Sequence, residues 1–161
     1  MRYSKYIDKR ALFGWQLHHI FYFNGDANNI SWVIQTDGSI VRQNRTHAEI
    51  YKNKVTNIQS KYVALHVGIF WGVGMFIIKN RDSVKITMDE KMMYEHFTLH
   101  SKIEDDFILE KIRFIKQLIT QRELKIEFQV IDSNENISRE NRVNNTLGKT
   151  EKTIHSHKKN D

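Results

Sequence analysis

Between Leu17 and Val55 the apolar residues fall in short β-branched and aromatic groups parted by polar turns, and from Thr56 their period lengthens from two residues to about 3.6. A chain that changes period in this way lays down paired strands before its first long helix. Ile20-Phe21-Tyr22-Phe23 reads as one strand, Ser31 to Gln35 as a second, and Ser39 to Val55 as a third with weaker pairing, broken by Asn44-Arg45. Asp37-Gly38 lies between the last two and readily takes the positive φ angles of a tight hairpin, which makes the three an antiparallel meander. Thr56-Asn57 then offers a helix cap. Tyr62, Leu65, Ile69 and Val73 recur at helical spacing over about Ile58 to Ile78, a helix weakened by Gly68, Gly72 and Gly74. Ser83 to Met88 alternates as a strand and Glu90 to His100 forms a short helix. Ile103 to Thr120 forms a long one, with Asp105 and Asp106 early and Lys116 late, as the helix dipole prefers. Leu124 to Ile131 alternates as a last strand, Asp132 to Ile137 is a polar loop, and Ser138 to about Lys149 is helical. The predicted order is βββαβα(α)βα.

The length of 161 residues suits one core. It divides into an N-terminal extension (1–19), one folded domain (20–149) and a polar tail without fixed structure (150–161). A balance of 25 Lys+Arg against 19 Asp+Glu gives +6, which favours polyanionic partners without requiring them. With no cysteine, disulfides, thiolate metal sites and cysteine nucleophiles are excluded. The longest apolar run, Val63 to Ile78, contains His66 and falls short of the roughly 20 residues of a membrane span, so it reads as a buried core helix and no membrane partner is expected. The first twenty residues lack an apolar stretch followed by small residues, which argues against a secretory signal and for an intracellular location, cytoplasmic or organellar.

Four stretches carry a resemblance. Thr56-Asn57-Ile58-Gln59-Ser60-Lys61-Tyr62-Val63-Ala64-Leu65-His66-Val67-Gly68-Ile69 is similar to the pattern T-N-x-x-A-E-Y-x-A-L-x-x-G-L. Phe21-Tyr22-Phe23-Asn24-Gly25-Asp26-Ala27 looks like a first strand ending in D-G-x-A, and Val84-Lys85-Ile86-Thr87-Met88-Asp89 like a strand ending in a ligand Asp. Arg139-Glu140-Asn141-Arg142-Val143-Asn144-Asn145-Thr146-Leu147 is similar to R-E-x-N-x-x-A-D-x-L with one residue fewer. Together they resemble the ribonuclease HI and reverse-transcriptase-like RNase H family. The resemblance implies an α/β (α+β) fold with a five-stranded mixed sheet, meander first and βα crossovers after it, and helices on both faces. It also implies metal-dependent cleavage of RNA in RNA–DNA hybrids. Thr36-Asp37-Gly38-Ser39 also looks like the family's T-D-G-S, but it leaves only 24 residues to Lys61, too few for two further strands, whereas Asn24 leaves 37.

On this alignment the family's four metal-binding carboxylates correspond to Asn24, Lys61, Asp89 and Asn145, of which only Asp89 is kept. Their summed charge is zero, against about −4 for four carboxylates. Two unit positive charges 4 Å apart repel by roughly 4 kcal/mol at an effective dielectric of about 20, so Lys61 is expected to pair with Asp89 in place of a metal, and no cofactor is expected. Asn57, Gln59, Lys79, Arg81, Lys85, Lys111, Arg113 and Lys116 stand where the resemblance implies contacts with nucleic acid. Their other reading is an ordinary solvated face. His96 and His100 lie one helical turn apart but lack a third ligand at readable spacing, and read as exposed helix histidines.

Three functions follow as expectations. The first is a catalytically degenerate RNase H-like domain binding an RNA–DNA hybrid, a duplex or a nucleoprotein complex. The second is a working hybrid ribonuclease, Mg2+-dependent, whose ligands have migrated to Asp26, Glu90 or Glu95. The third is a protein-interaction or assembly subunit.

Overall fold

The structure, a computed structural model, describes residues 16–139. Three strands open it, β1 (His18–Gly25), β2 (Asn29–Thr36) and β3 (Ser39–Thr46). They are followed by α1 (Asn57–Gly74), β4 (Ser83–Met88), α2 (Lys91–Thr98), α3 (Asp106–Gln121) and β5 (Lys125–Val130). The strands form one mixed sheet in the order β3-β2-β1-β4-β5, with β1–β2 and β2–β3 antiparallel and β1–β4 and β4–β5 parallel. Parallel pairing of β1 with β4 sets their carboxyl ends side by side, so Asn24 and Asp89 meet at one end of the sheet.

The hairpin between β2 and β3 turns on Asp37 (φ 41°) and Gly38 (φ 82°), as expected of that dipeptide. The third strand differs from its sequence reading. It runs unbroken through Asn44 and Arg45, which pair with Ser31 and Ile30, and it stops at Thr46 instead of Val55. The stop has a cause in the next residue: the His47 ring turns inward and its Nε2 bonds the Asp26 carbonyl (3.0 Å) and Ser60 Oγ (2.6 Å), leaving 48–55 to fold as turns. At the amino end of the central strand, β1 begins at His18 and buries His19, whose Nε2 lies 2.8 Å from the buried Asp82 carboxylate.

α1 opens with a reciprocal cap: Gln59 N–H donates to Thr56 Oγ1, and Thr56 N–H donates to Gln59 Oε1. Its glycines permit close approach. A Cβ at Gly68 would lie 2.5 Å from the Phe21 ring and 2.9 Å from Trp32. One face of the sheet thus receives α1 directly, through Phe21, Trp32 and Ile34 packed against Tyr62, Leu65 and Ile69. α2 covers the same face over β4 and β5, where Phe97 stacks on Phe128 at 4.9 Å, and α3 packs on α1. Each fully buried side chain of this size contributes about 1.5–3 kcal/mol.

The apolar run Val63 to Ile78 is not buried throughout. Phe70 is 63% exposed, Met75 58% and Phe76 77%. After β5, a 3-10 turn (Ser133–Glu135) leads to helical residues at 137–139. The rest of the expected helix Ser138 to Lys149, and with it any helix on the sheet's second face, lies outside the described residues, as do most of the 1–19 extension and the 150–161 tail.

Candidate site at the carboxyl ends of β1 and β4

Asn24, next to last in β1, Lys61 in the second turn of α1, Asp89 just after β4 and Glu90 at the cap of α2 converge on an open cleft of about 470 Å3. Lys61 is held there by the helix that its neighbours Tyr62 and Leu65 anchor in the core. Its Nζ donates to Asp89 Oδ1 at 3.0 Å and to Glu90 Oε1 at 2.8 Å. The Lys61 and Asp89 side chains are only 8% and 3% exposed. Asp89 Oδ2 accepts from Asn136 Nδ2 at 3.1 Å and from Arg139 Nη1 at 3.3 Å. One carboxylate therefore holds three donors.

Asn136 is the keystone on the C-terminal side. Fully buried, it also donates from Nδ2 to the Phe23 carbonyl at 2.8 Å, and its Oδ1 accepts from the Ser138 N–H and hydroxyl. It ties the chain after β5 to the end of β1. Asn24 is 5% exposed, and its Oδ1 has no hydrogen-bond partner among the described residues. Asp26 lines the cleft, and its Oδ1 accepts from the Asn28 and Asn29 N–H groups at 2.9 and 2.8 Å.

These residues do not fit a divalent cation. Magnesium and manganese need converging anionic oxygens, because neutral amides do not offset the cost of dehydrating the ion. Here Asn24 brings a neutral amide, and the Lys61 ammonium already sits between the two carboxylates. Among the described residues no three His, Asp or Glu side chains come together as a possible metal site. Glu90, one acid considered as a migrated ligand, is spent on Lys61. Glu95 pairs with Lys91 at 3.9 Å and does not line the cleft.

Other expected site residues scatter. Asn57 lines the cleft, and Asn145 lies outside the described residues. Gln59 is engaged at both ends of its amide, in the cap and with Asp105 Oδ2 at 2.9 Å. Lys111 is a correction. It is buried, bonded to the Tyr51 hydroxyl at 3.2 Å with its Nζ 5.2 Å from the centres of the Tyr51 and Phe107 rings, and forms no part of an exposed basic surface. Lys79 and Arg81 precede β4, at the end of the sheet opposite the cleft, while Lys85 lies half-buried within β4 and Arg113 and Lys116 lie exposed on α3. These basic residues thus fall on different elements, with Arg81, Arg113 and Lys116 exposed. Residues 16–139 hold 16 Lys+Arg and 15 Asp+Glu, so of the chain's 25 and 19 the remaining 9 and 4 lie in 1–15 and 140–161. The basic excess sits almost entirely in those two segments.

Sequence reasoning missed Glu90 as a partner of Lys61, and missed Asn136 altogether. Glu90 directly follows Asp89 and could have been found from that adjacency. Asn136, in a polar stretch without periodicity, left no signal.

His96 was also misjudged. It is buried, with Nδ1 bonded to the Tyr62 hydroxyl and its ring stacked on Tyr62, because the helix turns it toward the core; His100 is exposed. Burial lowers the pKa of His96, His47 and His66. Glu95 opposes the shift at His96 and Asp26 opposes it at His47, while Lys111 adds to it at His66. Burial likewise pushes the Tyr62 phenol up. With folded pKa values below the unfolded value near 6.5, the unfolded chain binds more protons as pH falls. The stability these histidines contribute is present above about pH 6.5 and lost below it. The urea midpoint is therefore expected to fall between pH 7 and 5, and to fall less in His66→Leu. Equal slopes in the two proteins would contradict it.

No protein-family model matches the chain, and no curated protein matches it. Solved structures do. RNase H1 of the halophilic archaeon Halobacterium salinarum NRC-1 superposes with a TM-score of 0.60 at 18% identity, over 77% of this chain and 91% of that one. The N-terminal RNase H domain of rv2228c from Mycobacterium tuberculosis, solved as a fusion with maltose-binding protein, gives 0.62 at 14% identity, over 76% and 87%. LC11-RNase H1, in complex with an RNA/DNA hybrid, gives 0.59 at 18%, over 75% and 88%. The meander, the parallel β1–β4–β5 half and these superpositions together show that this chain has the RNase H-like fold.

Proposed function

We propose that the chain is a catalytically degenerate RNase H-like domain that acts in nucleic-acid or nucleoprotein binding and does not cut hybrids. The observation that carries this reading is the Lys61 ammonium, 3.0 Å from Asp89 and 2.8 Å from Glu90, which puts the protein's own cation where the resemblance implies a metal. A neighbour of the same fold solved with an RNA/DNA hybrid supports hybrid or duplex as the ligand. Incubation with a labelled RNA–DNA hybrid and Mg2+ or Mn2+ is expected to give no product. Cleavage that disappears in Asp89→Asn would overturn the proposal in favour of the migrated-ligand ribonuclease.

Binding is expected to be weak, indifferent to sequence and steeply salt-dependent, since phosphate contacts release counterions. Because Arg2, Lys5, Lys9 and Arg10 carry much of the basic excess, changing all four to Gln should lower the slope of log K against log salt by up to about 3. EDTA should leave binding unchanged. Affinity that does not move between about 50 and 200 mM salt would favour the protein-assembly reading instead.

A further inference from the structure

α1 carries no Asp, Glu, Lys or Arg after Lys61 and, apart from His66, which stacks on Phe114 of α3, is apolar from Tyr62 to Gly74. A helix of that kind is normally enclosed. Here its outer face is open: Phe70 is 63% exposed and Gly74, one turn on, has nothing within 4 Å of its Cβ position among the described residues. The chain then adds Met75 at 58% exposure and Phe76 at 77%. Phe76 is at φ 60°, a conformation that favours glycine, so a bulky ring is held there against backbone preference while burying little of itself. Large exposed apolar side chains gathered at one end of an element mark interaction sites in folded proteins when they form a continuous patch.

Charge narrows the occupant. The same end of the molecule carries Arg81 and Arg122, joined through Arg81 N–H to the Arg122 carbonyl at 2.9 Å, and Arg81 also forms a long, exposed ion pair with Glu123 at 3.6 Å. The chain's own remaining segments are poor candidates. Residues 1–15 hold four Lys+Arg against Asp8, and residues 140–161 hold five against three acids. A second copy would oppose like-charged rims. We infer that this end of α1 docks an amphipathic helix of another protein, with an apolar stripe over Phe70, Gly74 and Phe76 and acidic residues facing Arg81 and Arg122. The surface begins about 14 Å from Lys61 along α1 at Phe70 and reaches about 20 Å at Gly74, at ~1.5 Å per residue, and does not depend on the reading of the cleft.

The test uses the full chain and a fluorescein-labelled synthetic 16-residue helix with Leu at i, i+3, i+4 and i+7 and Glu at both ends, read by fluorescence anisotropy. Saturable binding is expected, weakened at least tenfold in Phe70→Gln combined with Phe76→Gly and at least fivefold in Arg81→Glu. Phe76→Gly favours the backbone angle it inherits, so lost binding there is not lost folding, and a thermal melt verifies it. The inference is overturned if the Glu-flanked helix does not bind, if a Lys-flanked copy binds as well, or if the double variant binds undiminished. It is equally overturned if these substitutions abolish binding of oligo(dT) or dissolve a dimer seen by sedimentation, since the occupant would then be a nucleic acid or a second copy.

Discussion

Asp89→Ala is expected to cost about 3 to 5 kcal/mol of folding stability, the range for removing one partner of a buried ion pair. Three donors lose their acceptor at once, Lys61 Nζ, Asn136 Nδ2 and Arg139 Nη1. Lys61→Met should cost less, because Asp89 keeps Asn136 and Arg139, and Glu90, whose side chain is 44% exposed, can turn to water. In Asp89→Asn, Lys61 keeps Glu90 but faces Arg139 across a neutral amide. The double variant Lys61→Met with Asp89→Asn should then be milder than the sum of its singles by about 1–3 kcal/mol, the mark of direct coupling. Urea denaturation followed by circular dichroism measures all four corners of the cycle. Additive singles would show that the 3.0 Å contact carries no coupling energy.

What made this site readable was its position at the ends of regular elements. β1, α1 and β4 announce themselves by period, and a residue next to last in a strand or one turn into a capped helix has its place fixed by that element. Lys61 facing Asp89 was what the family resemblance implied once those elements were aligned with it. Asn136 and the stop of β3 at His47 did not, because each depends on a side chain turning inward from an irregular segment to satisfy a distant backbone carbonyl, of Phe23 in one case and Asp26 in the other. Lys111 fails for a related reason. A lysine at a helical position reads as solvated unless Tyr51 and Phe107, far apart in sequence, are known to close over it. The length and composition of the apolar run Val63 to Ile78 also suggested that α1 was enclosed throughout. The sheet and α3 cover only part of its circumference, and the exposed remainder is visible only once those neighbours are placed.

The largest gain of function should come from reversing the cleft's charge. Asn24→Asp alone adds an anion beside an ammonium and should yield a closer ion pair and no metal site. Lys61→Glu alone leaves three carboxylates, Asp89, Glu90 and the new one, opposed among the described residues only by Arg139, so it should be strongly destabilised in the absence of a cation. Asn24→Asp, Lys61→Glu and Asn145→Asp together, the last resting on the family alignment, supply the converging oxygens that Mn2+ needs. The triple variant should therefore be unstable with EDTA and gain about 2.7 kcal/mol when Mn2+ is ~100-fold above its dissociation constant. The unaltered chain, whose cation is built in, should melt at the same temperature with EDTA or 1 mM Mn2+. Thermal unfolding of both proteins in the two buffers decides the matter. Mn2+ stabilisation of the unaltered chain would mean that Lys61 gives way to a metal. A triple variant indifferent to Mn2+ would mean that the alignment has placed the old ligands wrongly.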